Sequence, residues 1–259
     1  MRRLPLTRGR LWALSLGTPL ALATIAYSGV YYVSLVAQDS FPVHHGISST
    51  QVTVEVGNGD LTVVGGAKGP VGIRGVVNYS LVRPQAHWTT AGDETAFVGP
   101  NCFWMGSCGA TLTVNVRPAE KVDASTGSGD VDARGLAGAV RRSDGSGDIS
   151  VAHLSGPLVL SDSSGDITGS GLSAGNVRAT AGSGNVELVF TRPPRDLRVN
   201  DASGDISIAV PPGYTYKVTT DAASGSSVVG PAVHQGPDSD NVIALEDGSG
   251  DITVSSSAL

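Results

Sequence analysis

Gly145-Ser-Gly-Asp-Ile-Ser-Val-Ala-His-Leu-Ser-Gly-Pro-Leu-Val-Leu-Ser-Asp-Ser-Ser-Gly-Asp-Ile167 opens and closes on the same Ser-Gly-Asp-Ile unit, with two short alternating stretches between the copies. Alternation of this kind has the period of a half-buried β-strand, and the Gly-rich breaks between such stretches are turns. Each repeat therefore reads as strand, Ser-Gly turn, strand, return turn. Further copies are Gly127-Ser-Gly-Asp-Val131, Gly182-Ser-Gly-Asn-Val186, Ala202-Ser-Gly-Asp-Ile206 and Gly248-Ser-Gly-Asp-Ile252, with an earlier relative at Gly57-Asn-Gly-Asp-Leu61. Asp130, Asp148, Asp166, Asn185 and Asp205 follow one another at 18, 18, 19 and 20 residues, and Asp251 comes after a gap of 46 that contains the degenerate Ala223-Ser-Gly-Ser-Ser227.

A unit this short cannot bury its own apolar side, so the copies must stack. The expected fold is all-β, a single-stranded β-solenoid or β-helix-like repeat with coils about 4.8 Å apart. Gly suits a corner with positive φ, and Asp or Asn shares hydrogen bonds with turn amides. The apolar residue that follows starts the inward face of the next strand. A sandwich of antiparallel hairpins fits the near-constant period less well. Upstream, Gln51-Val-Thr-Val-Glu-Val56, Leu61-Thr-Val-Val64, Gly72 to Tyr79 and Thr111-Leu-Thr-Val-Asn-Val116 also alternate and are expected to form the first coils and a cap. The domain should run over 49–254, with regular repeats over 118–254 and an irregular excursion over 81–110. The last coil, around Ile252, would then present an edge to be capped, kept short or paired.

The beginning of the chain reads as an address. Residues 11–37 carry no charged side chain, and as a helix of 27 residues they would exceed the roughly 30 Å of a hydrocarbon core. Arg2, Arg3, Arg8 and Arg10 precede the segment and all 23 acidic residues follow it, so the positive-inside bias puts a basic tail, 1–10, in the cytoplasm. A transmembrane anchor over 11–37, a linker over 38–48 and an extracytoplasmic domain at the cell membrane follow from this. The rival reading is a cleaved signal peptide, with a cleavage site near Ala21-Leu22-Ala23. Beyond the segment 13 basic residues face 23 acidic ones, a balance that argues against nucleic acid as a partner. Cys102 and Cys108 have five residues between them, and in an oxidising compartment they are expected to close a small loop by a disulfide.

The membrane segment, the Gly-Asp strand pair, Val114-x-Val116-x-Pro118 and the serial Ser-Gly-Asp-Ile coils together resemble the bacterial putative-adhesin family, itself a domain of unknown function. The resemblance covers nearly all of 47–254. It implies a β-solenoid at the cell envelope, some members being encoded near envelope-stress regulators, and it carries over no catalytic residues. The Cys-containing insertion departs from the family pattern.

In register, Asp130, Asp148, Asp166 and Asp205 would form a carboxylate ladder, and unit charges 4.8 Å apart repel by about 0.9 kcal/mol in water. Turn amides, solvation or bound calcium could offset that repulsion; turn structure is the preferred reading, and no cofactor is expected. Arg178 and Arg198 fall at comparable repeat positions with Arg141 near them, which reads first as charge balance. Trp88 and Trp104, in the excursion, are the candidate binding patch, since exposed aromatics anchor interfaces and stack on sugars; the competing reading has them cover the open end of the solenoid. No nucleophile motif surrounds the serines. The functional expectation is a membrane-anchored adhesin-like or interaction module without catalytic activity, its partner an envelope protein or glycan. The alternative is an accessory of an envelope-stress signalling system.

Overall fold

The computed structural model describes residues 38–47, 49–80, 83–85, 87–91, 93–99 and 108–257. The expected tail and membrane span, Cys102 and Trp104 lie outside them. The described residues form strands and turns and contain no helix. The first six strands are β1 (Gln38–Ile47), β2 (Gln51–Gly65), β3 (Val71–Ser80), β4 (His87–Ala91), β5 (Glu94–Val98) and β6 (Cys108–Val116). Regular coils follow as strand pairs: β7 and β8 (Lys121–Ser128, Val131–Arg134), β9 and β10 (Val140–Asp144, Ile149–Ala152), β11 and β12 (Leu158–Asp162, Ile167–Leu172). Next come β13 and β14 (Asn176–Ala181, Val186–Phe190), then β15 and β16 (Asp196–Asp201, Ile206–Val210). The chain ends with β17 (Thr215–Ala222), β18 (Ser227–Val229), β19 (His234–Gln235), β20 (Val242–Asp247) and β21 (Ile252–Ser256).

The second strand of each coil joins sheet I and the first joins sheet II, with parallel pairing from coil to coil. The alternation in the sequence sets which side chains enter the core. Leu61, Val131, Ile149, Ile167, Val186, Ile206 and Ile252, each following the Asp or Asn of its unit, stack as a buried row in sheet I. Opposite them Val52, Val122, Val140, Leu158, Val177, Leu197 and Ile243 do the same in sheet II. At the return turn, Leu136, Leu154 and Leu172 are buried, and their carbonyls accept from the amides of Ser155, Ser173 and Thr191.

Chain order and spatial order part company at both ends. The long strand β2 pairs with β7 and β8 on one side, and with β5 and β6 on the other. The residues between β2 and β7 thus fold back and, with β1, form the cap, in which β1–β3, β3–β6 and β4–β5 are antiparallel. The segment expected as a linker over 38–48 is instead largely strand β1, paired with β3 over ten residues. Its sequence, with Pro42 and two histidines, lacks the apolar alternation that marks the other strands. The excursion likewise holds β4 and β5. At the far end β20 lies between β15 and β17, and β21 between β16 and β18. The coil containing Ile252 is therefore internal, and the degenerate Ala223-Ser-Gly-Ser-Ser227 belongs to the terminal coil.

Candidate functional site

Two rows of side chains run along the solenoid and could meet a partner: the corner carboxylates and the outward face of sheet II. At the corner, the backbone N–H of Asp148 donates to Oδ1 of Asp130 at 3.0 Å, and Asp166 and Asn185 donate to the preceding carboxylates at 2.9 and 2.7 Å. Asp205 donates to Oδ1 of Asn185, Asp251 to Asp205, and the first member is Asp60, which accepts from Asp130. At the terminal coil Ser226 gives both its amide and its hydroxyl to Asp251, holding that carboxyl below the usual range. Each carboxylate thus receives an oriented donor from the next coil, a charge-assisted bond that offsets repulsion along the row. The structure brings Asp130, Asp148 and Asp166 onto adjacent coils and puts Asp205 beyond Asn185. Among the described residues no group of three His, Cys, Asp or Glu is placed to hold a metal ion.

A second acidic row escaped the sequence reading. Asp144, Asp162, Asp201 and Asp247 point inward, each 2–4% exposed, in register with Thr126 and Ala181. Their Oδ1 atoms accept from the turn amides of Ser146, Ser164, Ser203 and Ser249, at 3.0 to 3.2 Å. Their signal was an Asp four residues before the Asp of the corner in four copies, so that the fuller unit is Asp-x-Ser-Gly-Asp-Ile. The inner Asp closes an Asx-type turn and the outer one locks that turn to its neighbour.

On sheet II one outward row reads Asp123, Arg141, Val159, Arg178, Arg198, Ala244. The next reads Ser125, Ser143, Ser161, Thr180, Asn200, Glu246. Arg141, Arg178 and Arg198 are exposed. Arg198 pairs with Asp196 at 3.1 Å, and Asn200 donates to Glu246 at 3.0 Å. Arg178 has Asn176 where Arg198 has Asp196, because those two residues are register partners. A shallow groove crosses these strands, lined by Arg178, Thr180, Arg198, Asn200, Ala244 and Glu246.

Trp88 sits on β4, half-buried against the core, its ring 4.3 Å from that of Phe97 and tilted by 45°. It helps to cover the β5 end of sheet II. Trp104 and Cys102 lie outside the described residues; Cys108 begins β6.

A family model described as Toastrack DUF4097 matches residues 43–257. Among solved structures, a putative adhesin from Bacteroides fragilis is similar at 11% identity over 85% of this chain and 97% of that one, with a TM-score of 0.52. A putative cell adhesion protein from Clostridium sporogenes (13% identity, 85% and 100% covered) has a TM-score of 0.41. A putative lipid binding protein from Parabacteroides distasonis (13%, 84% and 96%) has 0.45. At these identities the likeness concerns the fold alone. No curated protein matches the chain.

Proposed function

This chain belongs to the Toastrack family, DUF4097, and on that footing we propose that it is a membrane-anchored, extracytoplasmic interaction module of adhesin-like type without catalytic activity. The observation that carries this reading is the outward face of sheet II, whose side chains are exposed or half-exposed over successive coils, with Arg141, Arg178, Thr180, Arg198, Asn200 and Glu246 among the exposed ones, while the opposite side of each strand fills the core. A surface built this way is long, regular and held rigidly by the ladders beneath it. The charge-free residues 11–37 behind four arginines support a single-pass anchor with the N-terminus in the cytoplasm. Export would also let Cys102 and Cys108 form their disulfide, which peptide mapping without reductant should find as one linked fragment.

Cross-linking in intact cells, followed by mass spectrometry of what the domain captures, tests the reading. Reproducible capture of wall glycan or of a surface component supports it. Capture of a membrane sensor alone, dependent on the sequence of residues 11–37, would replace it with the envelope-stress accessory.

A further inference from the structure

We propose that the outward face of sheet II from β9 to β20 is a binding strip for an extended polyanionic glycan laid along the solenoid axis, across Arg141, Arg178 and Arg198. The inference rests on the interaction reading above and names the chemistry of the partner. Arg178 and Arg198 stand on adjacent coils in register, about 4.8 Å apart at the backbone, and Arg141 is two coils further along the same row. The row is perpendicular to the strands, so its charges repeat along one line. A polymer whose anionic groups recur along its length matches such a line, whereas a single small anion would use one or two of the three positions.

The charge on this line is only partly answered by the protein. Arg198 has Asp196, and Asp123 is the register partner of Arg141, but among the described residues neither Arg178 nor Arg141 makes an ion pair. The remaining acid facing the groove, Glu246, accepts from Asn200. Guanidinium groups present forked donors suited to carboxylate or phosphate oxygens, and two of them held side by side repel until an anion lies between them. Ser143, Ser161, Thr180 and Asn200, two residues along each strand and so on the same face, supply neutral hydrogen-bonding groups for sugar hydroxyls. The strip offers no aromatic platform of the sort that stacks nucleobases and no large apolar anchor of the sort that dominates protein interfaces. Sheet I differs: its matching outward row reads Asp132, Ser150, Thr168, Glu187, and Arg134 is turned to Asp132 at 3.6 Å.

The test uses the full chain in a neutral detergent, immobilised and exposed in turn to polygalacturonate, poly(glycerol phosphate) and uncharged dextran. Binding of at least one polyanion and not of dextran is expected, weakening as salt is raised from about 50 to about 500 mM because exposed charges are screened. Arg178→Gln with Arg198→Gln should weaken it by about tenfold or more, and Arg134→Gln on sheet I should leave it unchanged. Preference for one polyanion assigns the anionic group as carboxylate or phosphate. Hydroxyl-radical footprinting of the unsubstituted chain gives a second readout, with protection expected at Val159 and its strand neighbours. Absence of polyanion binding at low salt, equal binding by the double variant, or protection confined to sheet I overturns the proposal. If the double variant still cross-links in cells to the same partner as its parent, the strip is wrong while the interaction module stands. A parent chain that captures nothing removes the broader reading itself.

Discussion

Arg142 is the residue whose placement conflicts most with its chemistry. It points inward from β9, fully buried, between Ala124 and Leu160 in a row that continues through Ala179, Val199 and Leu245. One nitrogen donates to the carbonyl of Asp132 at 3.3 Å, while Nε and Nη1 find no partner. Burial brings its guanidinium down to about 9. Replacing a buried charge by a well-packed apolar residue is often stabilising by about 1–4 kcal/mol, and Leu already occupies this position one coil on. Arg142→Leu should therefore raise Tm at pH 7. Above pH 9 the unfolded chain holds the proton more tightly than the folded one, so the parent gains stability with pH and the difference should shrink. Melting curves at pH 7 and pH 10 check both statements. The inner aspartates supply the converse case. Burial raises Asp162 above the ordinary carboxylate range against the opposing amide of Ser164, and the Asp144 carboxylate pushes it further up; Oδ2 of both residues is buried without a partner. A raised carboxyl favours the folded state at low pH and loses that contribution as pH rises through its folded value. Asp162→Asn keeps an oxygen for Ser164 and removes the charge, so it should raise Tm at pH 7 and lose that advantage near pH 3, where the parent carboxyl is protonated in both states.

The corner turn is the element on which the repeat depends. Gly184 has φ of 129°, and a Cβ there would collide with the carbonyl oxygen of Gly165 in the preceding coil. Conformation and coil spacing thus both demand glycine. Gly184→Ala should cost about 3 kcal/mol or more, as a lowered denaturation midpoint, since left-handed backbone strain and a backbone clash arrive together. A smaller loss would mean that neighbouring coils can separate locally. This element was legible in the sequence because its requirements recur: Ser-Gly-Asp-Ile fixes the corner, the inward Ile or Val and the hydrogen-bonded side chain in every copy. β1 was not legible, since its pairing with β3 is decided by a cap assembled from residues distant in the chain. The inner Asp row was visible as a letter pattern, but its inward direction was not, because aspartate at a strand end ordinarily reads as a surface turn residue. Arg178 and Arg198 were legible as occupants of comparable repeat positions with Arg141 near them; the register adds that Arg141 and Val159 stand on the same line.

At the scale of the whole molecule, both ends are closed by chain that leaves the stack and returns to it. In a solenoid built strictly in chain order, deleting the last coil removes one interface and little else. Here, among the described residues, the last coil in sequence, β20–β21, is the one that pairs with the terminal strands β17 and β18 on their inner side. A chain ending after Ala232 would leave β17 and β18 facing a gap of one coil, about 4.8 Å beyond normal contact, over the exposed tops of β15 and β16. The terminal coil is poorly suited to slide into that gap. Its inward positions include Thr220 and Ala222 where β20 supplies Leu245 and Asp247, and its corner has Ser226 in place of Asp251. Truncation is therefore expected to cost two coils, one deleted and one released, with hydrogen exchange across β17 and β18 becoming as fast as in an unpaired strand while β7 to β14 stay protected. Retained protection in β17 and β18 would mean that they had descended one coil, and that stacking in this domain tolerates exchange of neighbours more readily than its register of hydrogen bonds implies.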